Sequence, residues 1–101
     1  MSPSVEREAI FPMVRDILVE VLSLRPEAIR EGATILLDLG AESIDLLDLR
    51  FRIERAFGFP ITNDHLVAAF GPGVSPEEFR RRFTVQALCD YVQRRLEEPR
   101  A

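Results

Sequence analysis

The run Asp38-Leu39-Gly40-Ala41-Glu42-Ser43-Ile44-Asp45-Leu46-Leu47-Asp48-Leu49 places one hydroxyl, that of Ser43, where a glycine-bearing loop gives way to residues spaced like an amphipathic helix. A serine there can carry a phosphate ester. The first N–H groups of a helix lack intrahelical partners and concentrate positive partial charge, so an anionic group on Ser43 is favourably placed. Few other residues could do chemistry. The chain has one histidine, one cysteine and no lysine, all 13 of its basic residues being arginine. A Schiff-base lysine is therefore excluded, and a Cys/His zinc site would need more ligands than the chain owns. A serine-hydrolase elbow, Gly-x-Ser-x-Gly, has Ala41 and Asp45 in place of its glycines, and only His65 could act as base. No catalytic residue and no metal site is expected. His65 reads as a helix-surface or loop residue and Cys89 as a small buried hydrophobe.

Composition limits the setting. At 101 residues and 47% hydrophobic content, the chain fits one domain, residues 1–101, with one modest core. A net charge of -4, with acids and bases interspersed, argues against nucleic acid and for partners with basic docking surfaces. From Met1 to Leu24 acidic residues interrupt the apolar positions, leaving no run long enough for a signal peptide or a membrane span. A cytoplasmic monomer without stable membrane insertion is the expectation, and the single Cys89 fits a reducing compartment.

The elements that must position Ser43 follow from spacing. Val5, Ala9, Ile10, Met13, Val14, Ile17, Leu18, Val21 and Leu22 predict a first helix over about 5–24, with Ser4 as cap and Pro12 either kinking it or marking its true first turn. Residues 25–37 lack sustained periodicity and read as a long connection with one helical turn near Pro26–Ile29, pinned to the bundle by Ile35, Leu36 and Leu37. The second helix should run from Ser43 to Phe57 and stop at Gly58. It carries two apolar rows. Leu46, Leu49, Ile53 and Phe57 face the core, whereas Ile44, Leu47 and Phe51 form a second row, either buried under the preceding loop or exposed as a docking strip. Asp45 and Asp48 flank that strip, where negative charge also suits the helix dipole.

The Ser43 segment resembles the attachment site of acyl carrier proteins, an Asp-x-Gly-x-Asp/Glu-Ser-Leu/Ile run entering the second helix. Thr84-Val85-Gln86-Ala87-Leu88-Cys89-Asp90-Tyr91-Val92, opened by a threonine cap, resembles that family's last helix, and Gly58-Phe59-Pro60-Ile61 its exit from the second. Val85, Leu88, Val92 and Leu96 fit one buried face of this helix, which Pro99 ends. The resemblance implies an all-α, four-helix-type bundle with an additional short helix and no catalytic activity. It implies a 4'-phosphopantetheine arm, transferred from coenzyme A to Ser43 by a phosphopantetheinyl transferase with a divalent metal. Acyl intermediates of fatty-acid, polyketide or related metabolism would ride on the arm as thioesters between loading and transferring enzymes. Glu42, Ile44, Asp45, Leu47, Asp48 and Phe51 would form the partner interface.

Two departures stand out. Arg50, Arg52 and Arg55 make the latter half of the second helix basic where the family is commonly acidic. The link of about 62–83 is longer than the family's short third helix. Within it, Thr62 or Asn63 could cap a helix through Phe70, Gly71-Pro72-Gly73 breaks it, and Ser75-Pro76-Glu77-Glu78 opens another. Arg80-Arg81-Arg82 ends that helix, complementing its dipole or meeting an anion. Gly40-Ala41 before Glu42, in place of Gly-Gly, leans toward acyl over aminoacyl or peptidyl cargo. The rival reading is an unmodified helical adaptor docking through Ile44, Leu47 and Phe51.

Overall fold

Ile10, Val14 and Leu18 recur at intervals of four, and in the computed structural model all three are fully buried on one face of α1, Arg7–Leu22. The model describes residues 7–62, 64, 65, 69, 71 and 73–98. Burial of each such aliphatic side chain contributes about 1.5–3 kcal/mol, which outweighs the missing donor of Pro12 inside the helix. Pro12 thus lies within α1 and does not begin it, while the proposed Ser4 cap falls outside the described residues. The helix closes at Ser23, with the Leu24 N–H donating back to the Val19 carbonyl.

Among the described residues the further helices with defined bounds are α2 at Ser43–Phe57, α3 at Pro76–Arg82 and α4 at Val85–Glu97, with a 3-10 turn at Pro26–Ala28. Helix α1 packs against both α2 and α4. Their common core includes Leu49, Ile53 and Phe57 of α2 and Val85, Leu88, Cys89 and Val92 of α4. The architecture is all-α and agrees with the bundle expected from the sequence. Caps also follow the sequence: Ser75 Oγ accepts from the Glu78 N–H at 3.1 Å, and Thr84 Oγ1 accepts from the Ala87 N–H at 3.0 Å. Gly58, in the left-handed region at φ 80°, ends α2. The helix expected over 62–70 and its break at Pro72 include residues outside those described.

The long connection after α1 is held by its backbone. Ile35 N–H donates to the Phe83 carbonyl and Val85 N–H to the Ala33 carbonyl, each at 2.9 Å, around an isolated antiparallel bridge between Thr34 and Thr84. Ile35 is fully buried and Leu36 half-buried, but Leu37 is exposed, so two of the three expected anchors hold. The backbone tie supplies what Leu37 does not. At the far end, Arg7 joins the carboxylates of Glu31 and Asp90, linking α1, the connection and α4.

Candidate functional site

The turn before α2 aims Ser43 outward. Thr34 N–H donates to Asp38 Oδ2 at 2.8 Å and Asp38 N–H to Thr34 Oγ1 at 2.9 Å, closing a reciprocal turn. The Ala41 N–H then bonds the Ile35 carbonyl, and Gly40 takes φ 77°, a conformation that side-chain-bearing residues rarely adopt. Asp38 of the motif is therefore a turn-forming residue. Glu42 is the N-cap and Ser43 the first helical residue, with the Glu42 N–H donating to Asp45 Oδ2 at 2.9 Å. Ser43 is exposed and its hydroxyl makes no hydrogen bond to the described residues. A nucleophilic oxygen is thus presented to solvent at the positive end of a fifteen-residue helix.

Around Ser43 the two rows of α2 separate cleanly. Ile44, Leu47 and Phe51 are 73%, 59% and 65% exposed, whereas Leu49, Ile53 and Phe57 are buried. Leu46, expected in the core row, is only half-buried, because it lines a cavity. That cavity, of about 180 Å³, opens beside Ser43 and runs between α2 and a wall formed by Phe79, Phe83, Leu88 and Tyr91. Phe79 and Phe83 stack with ring centroids 5.0 Å apart. The extension that the sequence left without a role thus supplies one side of the cavity. Its signal was present as two phenylalanines four apart, one helical turn.

The charges near α2 are already engaged in part. Asp45 receives the Glu42 N–H, and Asp48 Oδ1 receives Arg52 Nε at 2.9 Å. Arg52 also reaches Glu20 of α1. Glu54 accepts the Ile61 N–H at 2.6 Å and holds the exit turn. Behind that turn lies a cluster that spacing did not reveal. Arg95 lies 4.5 Å from the Phe59 ring centroid and donates to the Tyr91 hydroxyl at 2.7 Å. It fixes Phe59 and the Gly58–Ile61 exit against α4. His65 lies apart from Ser43 in a local turn, where Nδ1 accepts the Thr62 N–H at 3.0 Å. Cys89 is fully buried, and burial pushes its thiol up to about 11. Neither is placed to act on the serine.

Among the described residues no group of three or more His, Cys, Asp or Glu could hold a metal, and no helix is long and apolar enough to cross a membrane. The site combines an exposed serine, an adjoining apolar cavity and an apolar strip. These features fit a phosphodiester-linked flexible arm, since the helix start favours its phosphate and the cavity can take what hangs from it.

Comparison with known proteins agrees. A family model described as "Phosphopantetheine attachment site" matches residues 13–92. The acyl carrier protein of Campylobacter concisus is 43% identical over 86 residues, covering 85% of this chain and 95% of its own. That of Bdellovibrio bacteriovorus is 30% identical over 87 residues, covering 86% and 95%. A shorter match, 42% over 52 residues, covers 52% of this chain and 66% of the acyl carrier protein of Campylobacter hominis. The family match spans the turn before α2, α2 itself and most of α4, and the chain belongs to the phosphopantetheine-attachment family of acyl carrier proteins, which are carriers and not enzymes.

Proposed function

We propose that the chain holds acyl intermediates as thioesters on a 4'-phosphopantetheine arm esterified to Ser43 and delivers them between separate enzymes of fatty-acid or related acyl metabolism. The observation that carries this is the exposed Ser43 hydroxyl at the first position of α2, without a hydrogen-bond partner among the described residues and lining an apolar cavity. When bound, the arm supplies a terminal thiol for the thioester. The protein's own residues do the rest. The free N–H groups at the start of α2 favour the phosphate, and Leu46, Phe79, Phe83 and Leu88 offer apolar cover to the proximal part of the chain. An apolar cavity of about 150 Å³ is enough to admit a six-carbon ring, so a volume of about 180 Å³ suits a short length of hydrocarbon. Tethering turns successive bimolecular encounters into deliveries at high effective concentration.

Ile44, Leu47 and Phe51, flanked by Glu42, Asp45 and Asp48, form the face offered to a phosphopantetheinyl transferase and to acyl-loading and acyl-transferring enzymes. The protein acts as a cytoplasmic monomer in this reading. Incubation with coenzyme A and a broad-specificity phosphopantetheinyl transferase, followed by intact-mass analysis, tests it. The expected result is gain of one phosphopantetheinyl group, mapped by peptide analysis to Ser43; a folded protein that gains none refutes the reading.

A further inference from the structure

Arg50 is the charged side chain among the described residues that line the cavity. It is half-buried and makes no hydrogen bond, ion pair or ring contact with any described residue. The nearby acids of α2 are directed elsewhere: Asp48 pairs with Arg52, and Glu54, one turn further along, accepts the Ile61 N–H. The residues one turn before it, Leu46 and Leu47, are apolar. Seven residues separate Arg50 from Ser43, two helical turns on the same face, or about 10.5 Å along the axis. Side chains on a helix lean toward its N-terminus, so the guanidinium is carried back toward the Ser43 end. One cation thus shares with Ser43 the lining of a cavity that is otherwise chiefly apolar.

We infer that Arg50 is a cargo-selecting residue, holding in the cavity an acyl chain that bears a carboxylate in preference to a plain hydrocarbon chain of equal length. The inference rests on Ser43 being the attachment point. A half-buried guanidinium has lost part of its hydration, and a carboxylate in the cavity restores it by accepting charge-assisted hydrogen bonds, which the planar fork donates two at a time. A hydrocarbon chain leaves the charge unanswered. Two lesser roles compete. The stem alone could cover the cavity with the head in water, or the head could pair with the phosphodiester at Ser43, which every cargo shares.

The test is a two-by-two comparison. Wild type and Arg50→Met are each loaded by a broad-specificity phosphopantetheinyl transferase from succinyl- or butyryl-coenzyme A, four-carbon cargoes with and without a terminal carboxylate. Complete loading is verified by intact mass. The Arg50 Nε–H resonance should move on succinyl loading and not on butyryl loading. Hydroxylamine should cleave the succinyl thioester about threefold to tenfold more slowly in wild type than in Arg50→Met, while the butyryl forms cleave alike. The difference should shrink at high salt. Arg50→Lys, which keeps the charge without the fork, should retain part of it. An equal effect of Arg50→Met on both cargoes would assign Arg50 to the arm's phosphate, and no effect on either would leave it a cavity cover; both outcomes overturn the inference. Failure of wild type to load at all, visible in the mass before any cargo is compared, refutes the Ser43 reading and this one with it.

Discussion

Arg52 of α2 and Glu20 of α1 form an ion pair across the two helices, Nη1 to Oε2 at 2.7 Å, while the same guanidinium holds Asp48 one turn back on its own helix. This contact separates three arginines that look alike in the sequence. Arg52 is tied down between α1 and α2, Arg50 borders the cavity and Arg55 is exposed. Arg55 is therefore the residue that should govern long-range encounter. Arg55→Glu is expected to speed transfer with enzymes that present a basic docking patch and to slow it with the native partner, both effects fading at high salt. Arg52→Glu should act differently, because it places a third carboxylate beside Glu20 and Asp48. Its thermal midpoint should fall, and the fall should lessen as salt is added. Stopped-flow transfer rates and thermal unfolding of the two variants at low ionic strength check this division; an unchanged midpoint in Arg52→Glu would show that the interhelical pair contributes nothing.

The residues that were legible are those whose role is local. Helix α2 begins at Ser43 and ends at Gly58 because a cap and a left-handed glycine act over one turn, and Thr84 and Ser75 act over the same range. The core rows were legible for the same reason, since 3.6 residues per turn fixes which side chains share a face. What could not be read depends on segments distant in the chain. Phe79 meets Leu46 across the cavity, Arg95 meets Phe59, and Thr34 pairs with Thr84 across fifty positions, and no periodicity encodes such meetings. Leu37 shows the converse error. Three apolar residues in a row read as an anchor, but a turn rotates the third into solvent while backbone bonds from Ile35 and Ala41 hold the segment.

Ser43→Ala separates attachment from folding. Glu42, not Ser43, is the cap of α2, and the Ser43 hydroxyl has no partner among the described residues, so its loss should change stability by less than about 0.5 kcal/mol. Arm attachment should vanish. Chemical denaturation paired with intact mass after transferase treatment measures both; an alanine variant that still gained the arm would place the attachment elsewhere.

The two rows of α2 should respond to substitution in opposite ways. Ile53 is 1% exposed in the shared core, and truncation to alanine leaves a cavity there, so Ile53→Ala should cost about 2–5 kcal/mol. Leu47 lies on the exposed row, so Leu47→Asp should unfold at nearly the wild-type denaturant midpoint. Its loss should instead appear in transfer by partner enzymes, where an apolar anchor has become a charge. Equal unfolding penalties would mean that the Leu47 row is covered by the protein itself.

Cys89 provides a measure of the core's integrity at alkaline pH. It is fully buried on α4, and burial raises its thiol from the ordinary 9.0 to about 11. Between those values the unfolded chain has lost the thiol proton and the native state keeps it, so the native state binds more protons and stability falls as pH rises. Below about pH 9 both states hold the proton and the thiol adds no pH dependence. The chain has no lysine, so no lysine ammonium titrates in this window. Everything but the thiol is common to wild type and Cys89→Ala, so the difference between their profiles isolates it. Wild type should therefore lose stability faster than Cys89→Ala from pH 9 to 11 in urea unfolding, although it is the more stable of the two at pH 7. The same burial should protect the thiol from iodoacetamide in the native state, with modification proceeding only through opening of the bundle. Parallel pH profiles for the two proteins, or native-state alkylation as fast as in urea, would show that the face of α4 carrying Cys89 is open to water.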